Sequence, residues 1–168
     1  MRIPTRFVTD SSLDQLARRL RFLGYDVVTH RGARLEELLE DAQRQGRSVL
    51  TSSARRPARF ADVPVVQVAR GDMAAAVRAV VAAHASATAP WTRCPRCNVT
   101  LHARSAFEAR GEVPGRVTRA AGMTFRSCPS CGQWFWPGSH VARLSAWFEQ
   151  VLGRPVDGFA PDGPDPGP

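Results

Sequence analysis

Lysine is absent from this sequence, and all 23 basic residues among its 168 are arginine. No apolar stretch approaches the 18 residues that a membrane-spanning helix requires, so we expect no membrane partner. The N-terminal residues Met1 to Pro4 are not followed by the apolar run of a secretory signal. The sequence therefore favours a cytoplasmic protein, in a compartment where cysteine thiols stay reduced.

The excess of arginine makes the chain strongly basic, with a net charge of +8. Residues 1–84 hold 14 arginines against 9 acidic residues and residues 85–152 hold 8 against 3, so each part carries +5. Residues 153–168 hold one arginine and three aspartates, a net charge of −2. Such a charge favours a polyanionic partner, although the arginine bias of a GC-rich genome would produce the same composition.

Short apolar runs and helical repeats alternate through the first half of the chain. We predict strands at residues 6–9, 25–29, 48–51 and 64–68. Leucine, alanine and valine recur at helical spacing through residues 11–24, 35–46 and 72–84. Strands that alternate with helices form βαβ units, which build a parallel sheet covered by helices on both faces. The predicted fold class is therefore α/β, a three-layer α/β/α sandwich.

The four cysteines form two CxxC pairs, Cys94 with Cys97 and Cys128 with Cys131. Each pair can place two thiolates on one metal ion, and two pairs complete a tetrahedral site with no vacant position. Such a closed site is typical of structural zinc, because catalytic zinc needs an open position for water. Two disulfides, four free thiols or an iron site with four cysteines are the alternatives. We expect a zinc ribbon.

These features divide the chain into four predicted parts. Residues 1–84 form the α/β domain, and residues 85–91 form a linker. Residues 92–152 form the zinc ribbon with a C-terminal helix at 141–152, and a hairpin or loop fills the 30 residues between the two CxxC pairs. Residues 153–168, rich in Pro, Gly and Asp, form a disordered tail with almost nothing to bury.

Asp10 follows the first predicted strand, at the edge of the sheet where α/β proteins bind their ligands. There it is a candidate ligand for Mg²⁺ or Mn²⁺, since these ions prefer carboxylate oxygens. The alternative is a plain helix N-cap. Glu36 and Glu37 of the second helix are candidates for further carboxylates at this edge, or they lie on a solvated helix face.

An aromatic segment, Gln133 to His140, follows the second CxxC pair. Trp134 and Trp136 can stack on bases while nearby arginines hold phosphates. Alternatively they pack the ribbon against the main domain, or meet a protein partner. His140 is a candidate acid or base, or a helix cap. The arginines that we expect to contact RNA are Arg18, Arg19, Arg21, Arg55, Arg56, Arg96 and Arg126.

Three stretches together resemble the mut-seven C-terminal ribonuclease domain family. They are LARRLRFLGYDV at residues 16–27, RCPRCN at 93–98 and CPSCGQWFWPGSH at 128–140. The resemblance covers about residues 6–150 and implies a PIN-like nuclease fold with a C-terminal zinc ribbon. It also implies metal-dependent cleavage of RNA at an acidic strand edge, with Asp10 at the position of one family carboxylate.

The chain departs from the family pattern at two of the three expected acidic positions. The family opens the second helix with an acidic residue, where this chain has Leu35, and follows the third strand with Arg-Asp, where this chain has Ser52-Ser53. Glu36 lies one residue from the first of these positions. Two hypotheses follow: a metal-dependent ribonuclease with a depleted acidic site, or an inactive module that binds RNA or a ribonucleoprotein. A protein-interaction adaptor is the third.

Overall fold

The main layer of the protein is a four-stranded parallel sheet. The structure is a computed structural model, which describes residues 5–32, 34–156 and 159. The strand order is β2-β1-β3-β4. The strands are β1 at Arg6–Asp10, β2 at Asp26–His30, β3 at Ser48–Thr51 and β4 at Val65–Gln67. The predicted α/β class with a parallel sheet is confirmed.

Helices cover both faces of this sheet, because successive residues of a strand point to opposite faces. Phe7 of β1 lies in a buried cluster with residues of α1 and α3. Its neighbour Val8 faces the other way and packs with Leu38 and Leu39 of α2. The helices are α1 at Asp14–Phe22, α2 at Leu35–Gln45 and α3 at Met73–Ala83. The predicted three-layer sandwich is therefore present.

The second sheet has three short antiparallel strands in the order β5-β6-β7. The strands are β5 at His102–Arg104, β6 at Phe125–Ser127 and β7 at Trp134–Phe135. A short helix, α4 at Gly115–Thr118, lies in the long connection between β5 and β6. The last helix, α5 at Ser139–Leu152, follows the ribbon and begins two residues earlier than predicted.

The predicted linker packs closely against α1. The backbone N–H groups of Ala87 and Thr88 donate to the carbonyl oxygen of Gly24, over 3.2 and 3.1 Å. A Cβ at Gly24 would lie 2.0 Å from the carbonyl oxygen of Thr88, so this approach requires glycine. Trp91, the last residue of the predicted linker, belongs to the same buried cluster as residues of α1 and α3. Phe148 of α5 belongs to it as well. The division into domains remains a prediction, although residues from both sides of the predicted boundary contribute to one hydrophobic core.

The first residues of the predicted tail also pack against this core. Val156 is buried, and the ring of Phe159 lies 5.8 Å from that of Trp91. The expectation that the chain after Gly153 buries almost nothing is therefore wrong for these two residues. Within the predicted disordered segment, residues 157, 158 and 160–168 lie outside the described residues. Among the described residues, no helix is both long and apolar enough to cross a membrane.

Candidate functional site

The sulfur atoms of Cys94, Cys97, Cys128 and Cys131 all lie within 4.8 Å of one another. The sulfurs of Cys94 and Cys131 are 3.9 Å apart, near the ~3.8 Å that tetrahedral geometry gives for Zn–S bonds of about 2.3 Å. All four cysteines are free of disulfides. The cluster is therefore compatible with the predicted zinc site. Within the described residues, no other group of three or more Cys, His or acidic side chains has metal-binding geometry.

The two CxxC pairs adopt the same local conformation. In each pair, the N–H of the second cysteine lies 3.4 Å from the sulfur of the first. The residue after each pair has a left-handed backbone, with φ of 63° at Asn98 and 73° at Gly132. Glycine and asparagine are the residues that adopt this conformation most readily. The left-handed backbone that this turn requires therefore explains why asparagine and glycine follow the two CxxC pairs.

The cysteine thiols differ in how readily they ionise. Burial raises the pKa of the Cys94 thiol to about 12, so this group becomes a thiolate at neutral pH only where a cation offsets the cost of burial. The backbone N–H of Gln133 is the main reason why the pKa of Cys131 falls to about 7. A site of this kind binds zinc as thiolates and releases protons on binding.

Asp10, at the carboxyl end of β1, lines a cavity of about 350 Å³. Leu35 and Ser53 line the same cavity, so the three positions where the family pattern expects acids converge in space. Because two of them are Leu and Ser, Asp10 is the only acidic residue that lines the cavity among the described residues. Arg34, which the sequence analysis did not single out, also lines it and brings a positive charge to the place expected to hold a cation.

The Asp10 carboxylate serves as an N-cap. Its Oδ1 accepts a hydrogen bond from the backbone N–H of Ser12 over 2.7 Å, at the start of the 3₁₀ turn Ser11–Leu13 that precedes α1. The N-cap role is the alternative to metal binding that the sequence left open. The other carboxylate oxygen makes no hydrogen bond to a described residue, and it can accept one from a ligand in the cavity.

The structure does not bring Glu36 and Glu37 together with Asp10, because neither lines its cavity. Glu36 accepts a hydrogen bond from Arg59 Nη2 over 2.9 Å. A carboxylate oxygen of Glu37 lies 3.7 Å from Arg34 Nε and another lies 4.0 Å from His30 Nε2. Both glutamate side chains are nearly half exposed. They lie on the solvated start of α2, paired with cationic groups.

The candidate RNA-binding arginines divide into buried and exposed residues. Arg21 and Arg126 are only 4% and 5% exposed, and Arg126 Nη1 donates to the carbonyl oxygen of Trp91 over 3.0 Å. The prediction that these two contact RNA is therefore wrong. Arg19 is partly buried, with its guanidinium 4.8 Å from the ring of Trp147. The exposed candidates are Arg18, which pairs with Asp14, and Arg55, Arg56 and Arg96.

Arg21 joins the α/β layer to the first CxxC pair. Its Nε donates to the carbonyl oxygen of Val27 and its Nη1 to that of Pro95, each over 2.8 Å. Its Nη2 donates to Thr29 Oγ1 over 2.9 Å. Burial lowers the pKa of Arg21, and these bonds hold the charged side chain in place. Its role is structural.

Asn98 forms the second link between the ribbon and the sheet. Its Oδ1 accepts from the backbone N–H of Val27 over 3.1 Å, and its Nδ2 donates to Asp26 Oδ1 over 2.7 Å. Burial raises the pKa of Asp26, but the hydrogen bonds from Arg47 and Asn98 outweigh it and hold that pKa below its usual range. Asn98 thereby covers the open edge of β2 and fixes where the ribbon sits.

The aromatic segment forms one wall of a second cavity, of about 510 Å³, which we call the aromatic groove. Phe135 is buried beside the cysteines. Trp134 and Trp136 point to the opposite face, where they pack partly against Ala109 and Val113. The alternation that the sequence predicted for this strand is thus present. The residues lining the groove include Phe22, Arg116, Gln133, Trp134, Trp136 and His140.

His140 is not brought to the Asp10 cavity. It is exposed, lies in the first turn of α5 and lines the aromatic groove. Asp10 and His140 therefore belong to two separate cavities. Arg116, in the connection between β5 and β6, is a lining residue that the sequence analysis missed, because nothing in the local pattern places that connection over the tryptophans.

Comparison with known proteins agrees with this geometry. The family model described as the Mut7-C RNAse domain matches residues 5–148, which is most of the chain. The chain therefore belongs to the Mut7-C RNAse domain family, a family of nuclease-like, RNA-related proteins. No curated protein and no solved structure gives a significant match.

Proposed function

We propose that this protein binds RNA and does not cleave it by metal-dependent chemistry. The observation that carries the proposal is the lining of the Asp10 cavity. Three positions expected to be acidic meet there, and two of them are Leu35 and Ser53. A protein site for Mg²⁺ commonly uses one or two carboxylates together with substrate oxygens. Here Asp10 alone remains, at the lower limit of that range, and one of its two oxygens already accepts a hydrogen bond from Ser12.

The charge of the cavity supports the same conclusion. Arg34 lines it on the side of α2, and a cation at this place opposes the binding of a second cation. The side chain of Arg34 is 77% exposed, so it can reach a phosphate at the mouth of the cavity. A phosphate oxygen there can accept a hydrogen bond from the Arg34 guanidinium, whereas the carboxylates that would hold a nucleophile-activating metal are reduced to Asp10.

Binding is supported by the charge of the whole chain and by the family. The net charge is +8, and the exposed arginines include Arg55, Arg56 and Arg96. Arginines neutralise backbone phosphates and release counterions. The logarithm of the binding constant therefore falls linearly with the logarithm of the salt concentration. The match to the Mut7-C RNAse domain supports RNA, rather than another polyanion, as the partner.

The test is the affinity of the purified protein for a labelled oligoribonucleotide at several salt concentrations, with and without Mg²⁺. We expect binding whose logarithmic slope against salt corresponds to several phosphate contacts. Removing Mg²⁺ should leave the affinity unchanged within about twofold, apart from the screening that ionic strength accounts for. Absence of binding at low salt would refute the proposal and leave a protein-interaction adaptor as the remaining hypothesis.

A further inference from the structure

We infer that the aromatic groove holds a single unpaired nucleotide of single-stranded RNA. The inference rests on the proposed RNA binding. It assigns the groove as the place where the protein distinguishes single-stranded RNA from duplex RNA. Trp134 in β7 and Trp136 directly after it pack in one cluster, whereas Phe135 between them is buried in another. Both tryptophans are partly buried, and they line the groove together with Phe135. Aromatic side chains in this position offer surfaces on which a base can stack.

The Trp136 ring is held in place by its neighbour Gly138. A Cβ at residue 138 would lie 2.9 Å from Nε1 of Trp136, closer than side chains normally approach. The backbone N–H of Gly138 also donates to the carbonyl oxygen of Trp136 over 2.8 Å. The Nε1 edge of the indole therefore lies close to the backbone of Gly138, a contact that restricts the ring and lowers the entropy cost of stacking a ligand on it.

The polar residues of the groove suit a nucleotide. Arg116 and His140 line it, and no acidic residue does so among the described residues. Arg116 is exposed and has no ion pair with any described side chain, so its charge is available to a phosphate. Gln133 and Ser139 also line the groove, and their amide and hydroxyl groups can both donate and accept hydrogen bonds with a base edge.

The size of the groove suits one unpaired nucleotide. Its volume of about 510 Å³ lies within the range of roughly 300–1,000 Å³ typical of small-ligand sites. Bases in an A-form duplex are stacked on their neighbours and are not presented to aromatic side chains, whereas single strands can splay a base out. A duplex therefore keeps only the phosphate contacts made by surface arginines.

The test compares the affinity of the full chain for a labelled single-stranded oligoribonucleotide of about 12 nucleotides with that for the blunt duplex of the same sequence. Trp136→Ala should weaken single-strand binding roughly five- to 100-fold and leave duplex binding unchanged. Trp136→Phe, which keeps an aromatic face, should restore most of the affinity. Arg116→Gln leaves the packing untouched and should weaken single-strand binding several-fold. Trp147→Ala is the matched control, because Trp147 lies on α5 outside the groove lining.

The outcomes separate this inference from the proposed function. Binding to neither RNA would refute the proposed function itself. Binding to both RNAs with unchanged affinity in Trp136→Ala and Arg116→Gln would refute the groove and leave RNA binding intact. Equal weakening by Trp136→Ala and Trp147→Ala would show a loss of packing, and would overturn the groove unless Trp136→Phe restores the affinity and Arg116→Gln weakens single-strand binding alone. Unfolding temperature and zinc content, measured on every variant, identify those that fail to fold.

Discussion

Arg21 Nη1 donates a hydrogen bond of 2.8 Å to the carbonyl oxygen of Pro95, the second residue of the first CxxC pair. This bond links a helix of the α/β layer to the metal-binding turn 74 residues further along the chain. Together with the bonds of Asn98 to β2, it makes the position of the ribbon depend on the sheet. The cysteine cluster and the two cavities are therefore parts of one packed unit.

Replacing Arg21 by lysine should lower the free energy of unfolding by about 3 kcal/mol. An ammonium group cannot reproduce the guanidinium geometry that reaches Val27, Thr29 and Pro95, so buried acceptors lose their partners. Urea unfolding measures the loss. The matched control is Arg18→Lys on the exposed side of the same helix, which should change stability by less than about 0.5 kcal/mol. Equal effects of the two substitutions would contradict the structural role of Arg21.

Asp10→Ala should destabilise the protein by about 1 kcal/mol, and Asp10→Asn should have little effect. The reason is the hydrogen bond of 2.7 Å that Asp10 Oδ1 accepts from the N–H of Ser12, since asparagine caps as well as aspartate and alanine does not. Thermal or urea unfolding without divalent metal measures the stability of both variants. If Asp10→Asn destabilises as much as Asp10→Ala, the charge of the carboxylate matters beyond the cap.

Removal of zinc should loosen the edge of the main sheet as well as the ribbon. We expect one zinc per chain by elemental analysis, and Cys97→Ser should reduce this content and lower the unfolding temperature. The backbone N–H of Val27 donates to Asn98 Oδ1, so its hydrogen exchange should accelerate when the metal-binding turn is lost. Arg96→Gln, within the same CxxC pair but not a ligand, should leave zinc content and exchange unchanged. Protection of Val27 that survives loss of zinc would contradict this coupling.

Restoring the two missing acids should create a site for a divalent cation. The double substitution Leu35→Asp and Ser53→Asp adds two carboxylates to the cavity that Asp10 lines, and hard cations bind such oxygen clusters. Binding of Mn²⁺ to the zinc-loaded protein, measured by calorimetry or electron paramagnetic resonance, should appear in the double variant and be absent from the natural chain. Adding Asp10→Asn to the double variant should weaken this Mn²⁺ binding. Tight Mn²⁺ binding by the natural chain would contradict the depleted site.

The sequence predicted the parts of the molecule that depend on local pattern. The strands and α2 follow from apolar periodicity, and the cysteine cluster follows from ligand spacing, because both are set by backbone geometry over a few residues. The convergence of Asp10, Leu35 and Ser53 was within reach too, since parallel strands end at one edge. The residues Asn98 and Gly132, one after each CxxC pair, carried the signal for the shared turn.

Long-range packing accounts for what the sequence could not predict. Arg21 lies off the apolar stripe of α1 and looks exposed in the pattern, but the ribbon covers it. Arg126 belongs to the ribbon itself and is covered by Trp91 and Phe159, which come from distant parts of the chain. Val156 and Phe159 are single apolar residues in a polar segment, and no periodicity marks them. Each of these depends on contacts between distant parts of the chain, which composition and spacing do not record.

The most direct test of the central claim is a cleavage time course on the labelled single-stranded RNA that the protein binds. The protein is held in excess over RNA, with Mg²⁺ or Mn²⁺ present, and Asp10→Asn is assayed in parallel. We expect the RNA to remain intact, at the rate seen without protein, under conditions where binding is saturated. Metal-dependent cleavage by the natural chain that Asp10→Asn abolishes would contradict the account and establish a ribonuclease with a single essential carboxylate.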